Sequence, residues 1–134
     1  MDNILKLTIV TPEKQVYTGE VVEIVTESEI GGIGFLPNHV PMVTVLKPSV
    51  TTITKKDGEK LKIFTSSGIS NISNNDIKLM CDAAEWPEEI DAKRAEESKD
   101  RAEKRLKNAT DEVSIERAKV ALMRSLMRLK TKEN

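Results

Sequence analysis

The chain carries one histidine, one cysteine, and a C-terminal stretch in which arginines recur at helical intervals. His39 has no Cys, Asp or Glu at metal-ligand spacing, so neither a metal centre nor general base chemistry is expected of it. Cys81 stands beside Asp82, with no histidine near it in sequence to draw off its proton, and reads as a small buried apolar residue. No acid pair marks the turns of the N-terminal half. The inventory argues against an enzyme. The arginines are more informative. Asp91 and Arg94 are three apart and share one face of a helix, Arg101 follows seven after Arg94, and Arg124 and Arg128 are four apart. The same Asp–Arg spacing is also an ordinary helix ion pair, worth about 0.2–0.5 kcal/mol.

The elements that hold these residues fall into two stretches. Residues 1–84 of the 134 contain all six glycines and four of the five prolines. Their apolar residues come in short alternating runs, among them Leu5, Leu7 and Ile9, and Leu61, Ile63 and Phe64, each bounded by turn chemistry. Asp57-Gly58 between two such runs predicts a β-hairpin. With no helical segment between the strands, a β-sandwich or barrel-like head follows rather than a parallel α/β fold. Residues 85–134 have no glycine, and half of them are charged, 13 Lys/Arg and 12 Asp/Glu. Pro87 followed by Glu88, Glu89 and Asp91 predicts a helix start. Thr110 or Asp111 is the expected cap of a second helix from Glu112 to Lys130. The expected architecture is therefore α+β, a sandwich head over 1–84 and an antiparallel helical hairpin over 85–134.

The first helix offers a thin seam, Ala92, Ala95, Ala102 and Leu106. The second carries two apolar rows, Ile115, Ala118, Leu122, Leu126 and Leu129 beside Val113, Val120, Met123 and Met127. One row can meet the alanine seam. The other needs a further surface, either the head or a partner, and methionine suits a surface that packs against more than one neighbour. From Arg117 onward six basic residues face one acid, Glu133, which suits an acidic partner. A net charge of -1 argues against a general nucleic-acid binder. The start "MDNILKLTIV" does not read as a secretion signal, and no run approaches the ~18 apolar residues of a membrane span. Any work at a membrane is expected through another protein, without direct insertion.

The segment "GGIGFLPNHVPMVTVLKP" (31–48) resembles the epsilon subunit of bacterial and chloroplast rotary ATP synthases. "LKLTIVTPEKQVYTGEVVEIV", "FTSSGISNISNNDIKLMCDAAE" and "IDAKRAEESKDRAEKRL" are similar to that family in order and spacing, so the resemblance spans nearly the whole chain. It implies a non-catalytic rotor subunit of a proton- or sodium-translocating synthase, peripheral on the cytoplasmic face of the bacterial membrane. Its partners would be the gamma subunit, the ring of c subunits and, when the tail helices extend, the alpha/beta catalytic subunits, whose ATP hydrolysis the tail would inhibit. The resemblance puts rotor contacts at Glu29, Gly31, Gly32 and His39. It also implies a nucleotide site on the folded tail through Ile/Leu-Asp-x-x-Arg-Ala preceded by a Glu, here Glu85, Ile90, Asp91, Arg94 and Ala95, with Arg101, Arg124 and Arg128 facing phosphate. ATP would be a regulatory ligand and no cofactor is required. The absence of a glycine-rich phosphate loop argues against its hydrolysis here. Trp86 stands where relatives usually carry a polar residue. A generic adaptor with a helical oligomerisation arm is the alternative that explains the tail and leaves the head segment unexplained.

Overall fold

The computed structural model describes residues 3–133. Nine strands precede two helices: β1 (Leu5–Val10), β2 (Gln15–Ser28), β3 (Gly31–Phe35), β4 (Met42–Leu46), β5 (Ser49–Lys55), β6 (Lys60–Thr65), β7 (Gly68–Ser73), β8 (Asp76–Cys81), β9 (Ala84–Glu85), α1 (Ala92–Asn108) and α2 (Glu112–Lys132). β2 is long enough to serve both layers. Its first half pairs β1 and its second half pairs β3 and β5. One layer runs β4–β7–β8–β1 and the other β3–β2–β5–β6–β9. All of these pairings are antiparallel except β1 with β8.

The alternating runs fill the space between the layers. Leu5, Leu7 and Ile9 of β1 meet Ile77, Leu79 and Cys81 of β8, and Ile24, Phe35, Ile53 and Ile63 close the other side. Cys81 is buried as expected, and desolvation raises its thiol to a pKa of about 12. Stability then falls as pH rises above the free thiol's ordinary 9.0, because only the unfolded chain ionises. Asp57-Gly58 turns the β5–β6 hairpin, with Gly58 at φ 93° and the Asp57 carboxylate accepting from the Glu59 amide at 2.9 Å.

One end of the interior is hydroxylic rather than apolar. Thr51 Oγ1 lies 2.8 Å from Thr26 Oγ1 and 2.7 Å from Thr65 Oγ1, and all three residues are buried. Thr51→Val strands two buried hydroxyls and is expected to lower stability by about 1–3 kcal/mol, read from the urea midpoint.

The tail departs from expectation at its start. Pro87–Glu89 forms a separate 3₁₀ turn, Ile90 is extended and buried, and α1 begins only at Ala92. Asp91 is the N-cap, accepting from the Arg94 backbone N–H at 3.1 Å, so these residues make a capping bond rather than a side-chain ion pair. The last strand, Ala84–Glu85, pairs with β6 and carries the head past residue 84. Of the two candidate caps for α2, Asp111 serves. Its carboxylate accepts from the Ser114 amide and hydroxyl, which lowers its pKa. That contribution is lost as pH falls through the depressed value.

The helices lie against each other through Ala95, Ala102, Ala118 and Ser125, all buried. Ala92 is exposed, so the seam begins one turn later than its spacing implies, and Leu126, expected in the inner row, stands 41% exposed. α2 also rests on β5 and β6. Met123 and Met127 share a cleft with Val25, Pro48 and Val50 of the head. The methionines of the surplus row therefore meet the sandwich in this arrangement, while Val113 stays exposed.

Candidate functional site

The groove between hinge, α1 and α2 gathers the arginines. A cavity of about 230 Å³ is lined by Glu85, Glu89, Asp91, Arg94, Ala95, Ser98 and Arg128. A second of about 200 Å³ is lined by Arg101, Arg105, Arg124, Ser98 and Arg128, with Ala102, Ala121 and Ser125 as its floor. Ser98 and Arg128 belong to both, so the two are halves of one groove. Of the eight tail residues expected together, seven line it. Ile90 lies buried beneath as hinge packing. Sequence reasoning missed Glu89, Ser98 and Arg105. Their signal was the α1 spacing from Arg94, since Ser98 and Arg105 follow at four and eleven residues on the same face.

The groove is chemically polarised. Three carboxylates, Glu85, Glu89 and Asp91, lie with Arg94 in the half next to the hinge, while the other half holds Arg101, Arg105 and Arg124 and no carboxylate. Such a groove can hold a ligand with N–H donors at one end and anionic oxygens at the other. Several side chains are already positioned. Arg101 Nη2 donates to Ser98 Oγ at 2.9 Å, and Arg124 Nε to Ser66 Oγ on the head at 3.1 Å. Arg128 donates from Nε and Nη2 to the two Glu85 oxygens at 3.0 and 3.1 Å and lies 4.6 Å from the Phe64 ring centroid. Lys132 Nζ donates to the Pro87 carbonyl at 2.8 Å. These basic side chains of α2 bind the helix to head and hinge. Trp86 packs edge-on to Tyr17 at 5.9 Å and against the sandwich core, outside the groove, so it neither shields nor blocks a ligand there.

The expected rotor residues do not form one cluster. Glu29, Gly31 and Gly32 sit at the β2–β3 turn, where Gly31 has φ 128° and Ile30 is 92% exposed. His39 lies beyond the other end of β3, on the order of 15 Å away at about 3.3 Å per residue. There its amide donates to Leu36 O, its Nδ1–H donates to Val40 O at 2.7 Å, and its ring lies 5.3 Å from that of Phe35. Asn38, at φ 69°, locks this corner to the β7–β8 turn: its amide donates to Asn75 Oδ1 at 2.6 Å. A further surface went unread. Val45, Ile69 and Met80 are register neighbours across β4, β7 and β8, all outward and exposed, with Val43 beside them. Exposed apolar rows of this kind mark interaction sites.

Two family models cover this architecture, the ATP synthase delta/epsilon chain β-sandwich domain over residues 4–87 and its long α-helix domain over 88–133. The chain belongs to the ATP synthase delta/epsilon chain family. It is 51% identical over 129 residues to the ATP synthase epsilon chain of Clostridium kluyveri, covering 96% of this chain and 97% of that relative. It is 50% identical to the epsilon chain of Clostridium botulinum, covering 98% of each. Among solved structures, a chain of the Euglena gracilis mitochondrial ATP synthase (OSCP/F1/c-ring) superposes with TM-score 0.81 at 20% identity, over 94% of this chain and 79% of that one. A chain of the Tetrahymena thermophila mitochondrial ATP synthase central stalk/c-ring gives TM-score 0.70 at 13% identity, over 96% of each. At those identities the likeness is one of fold. Membership makes this chain a non-catalytic epsilon subunit of an F-type ATP synthase. Among the described residues no helix is long and apolar enough to cross a membrane, and no group of three His, Cys, Asp or Glu could hold a metal ion.

Proposed function

We propose that this epsilon subunit couples the central shaft to the membrane c ring and restrains ATP hydrolysis through its tail, with ATP as the ligand that holds the tail folded. The observation that carries the reading is the polarised groove. An adenine amino group would donate to the carboxylates by the hinge, and a triphosphate would lie among Arg101, Arg124 and Arg128. A ligand bound only by the folded hairpin stabilises that state by mass action. In the extended state the basic residues from Arg117 to Lys132 would face acidic groups of the alpha/beta subunits. Extension must first release Arg124 from Ser66, Arg128 from Glu85 and Lys132 from Pro87. The exposed row of Val43, Val45, Ile69 and Met80 is the proposed gamma contact, and the Glu29–Gly32 turn with its exposed Ile30 the proposed c-ring contact. Held by these partners, the protein would lie peripherally on the cytoplasmic face of a bacterial membrane.

Calorimetric titration of the isolated protein tests the ligand. Saturable ATP binding is expected, weakened about tenfold by Arg94→Ala, the loss of one charge-assisted contact. Absence of binding at millimolar nucleotide removes the sensing role and leaves the coupling role untouched.

A further inference from the structure

The Arg128 guanidinium is the only cation that both halves of the groove share among the described residues, and it is already occupied. Glu85 takes its Nε–H and one Nη2–H in a two-point pair at 3.0 and 3.1 Å, and the Phe64 ring covers one face at 4.6 Å. The pair is partly shielded, with the two side chains 26% and 31% exposed. An anion entering the groove can still approach the remaining N–H groups of Arg128, yet it meets a cation whose charge Glu85 has neutralised, and it comes close to a second carboxylate. Glu85 also lines the half of the groove that holds Glu89 and Asp91.

We propose that Glu85 is a resident counter-anion that a phosphate group must displace from Arg128, and that the displaced carboxylate then becomes the acceptor for the base. This rests on the nucleotide reading of the groove and adds an exchange within it. Paired with Arg128, Glu85 bridges β9 to α2 and ties the tail to the head. With phosphate on Arg128, Glu85 turns from the guanidinium toward Glu89 and Asp91 in the half of the groove it already lines, and the nucleotide itself then bridges Glu85 on the head to Arg128 on the tail. The two ends of a nucleotide therefore help each other bind. The phosphates free the carboxylate that the amino group uses, and the amino group stabilises Glu85 away from Arg128. A phosphate chain without a base must break the pair with nothing offered in return, and a nucleoside finds Glu85 engaged.

The test compares the full chain and its Glu85→Gln variant by calorimetry with inorganic tripolyphosphate, adenosine and ATP. Glu85→Gln keeps the shape of the side chain, removes its charge and leaves one acceptor oxygen facing the guanidinium in place of two. Tripolyphosphate is expected to bind the variant about tenfold more tightly than the parent, the size of one charge-assisted contact. The gain from adding adenosine to the phosphates, read as ATP against tripolyphosphate, is expected to shrink. Equal or weaker tripolyphosphate binding in the variant overturns the exchange, as does absence of tripolyphosphate binding to both proteins. A second measurement needs no substitution: the ¹³C shift of the Glu85 carboxyl in the unaltered chain should move when tripolyphosphate binds, and a signal that stays put at saturation also overturns it. Absence of ATP binding to the unaltered chain, with the tripolyphosphate result intact, counts against the nucleotide reading and leaves the ion-pair exchange standing.

Discussion

Gly68→Ala is expected to cost the head about 3 kcal/mol or more, a large part of the roughly 5–15 kcal/mol that holds a domain together. Gly68 opens β7 and lies opposite Cys81 of β8 and Leu46 of β4. A Cβ there would run into the Met80 carbonyl oxygen and come within 2.8 Å of the Cys81 Cα, both of them backbone and unable to rotate aside. Relief requires β7 to part from β8, and β8 carries Ile77, Leu79 and Cys81 of the core. Gly34→Ala is the control, because its Cβ would come no closer than 3.9 Å to the Ile24 carbonyl. Urea unfolding followed by circular dichroism should show a large drop in midpoint for the first and little change for the second. Equal midpoints would mean that the β7–β8 approach is looser than described.

Removal of residues 88–134 is expected to leave a folded head that still assembles, and to raise ATP hydrolysis of the assembled enzyme by about fivefold or more, the lower end of ordinary coupling between sites. The cut belongs after Pro87 rather than near Glu85, because β9 closes the edge of β6 and Trp86 packs on Tyr17. Shortening the head into β9 would confuse loss of the tail with damage to the sandwich. Hydrolysis at the full-length rate in an assembled, tail-less enzyme would contradict the inhibitory role, whatever the tail does in the free subunit.

Much of this molecule could be read from its residues. Alternation sufficed for β1 and β8 because each buries one face against the same core, and Asp57-Gly58 fixed its hairpin by local chemistry alone. The start of α1 was misread for a physical reason. Pro87, Glu88 and Glu89 satisfy every local signal of a helix start, yet burial of Ile90 holds the next residue extended, and the helix restarts from Asp91. Apolar alternation does not mark the threonines of β5, yet Thr51 turns inward and finds Thr26 and Thr65. Asn75 could not be read locally, since its role at the Asn38 corner bridges 37 residues. The arginines of the groove, Arg105 apart, were implied by the family resemblance, and the two helices bring them to one side. Glu85 was among the implied residues, but its pairing with Arg128, like that of Ser66 with Arg124, was not legible, because both arrive from the head through tertiary docking.

Under the proposed function, α2 rests on the head through exchangeable contacts and a nucleotide secures them. Amide hydrogen exchange of the free subunit, with and without millimolar ATP, measures this directly. The α2 amides are expected to exchange well before those of β1 and β8, and to slow markedly when ATP is present. Protection of α2 equal to that of the sandwich strands and indifferent to ATP would contradict it.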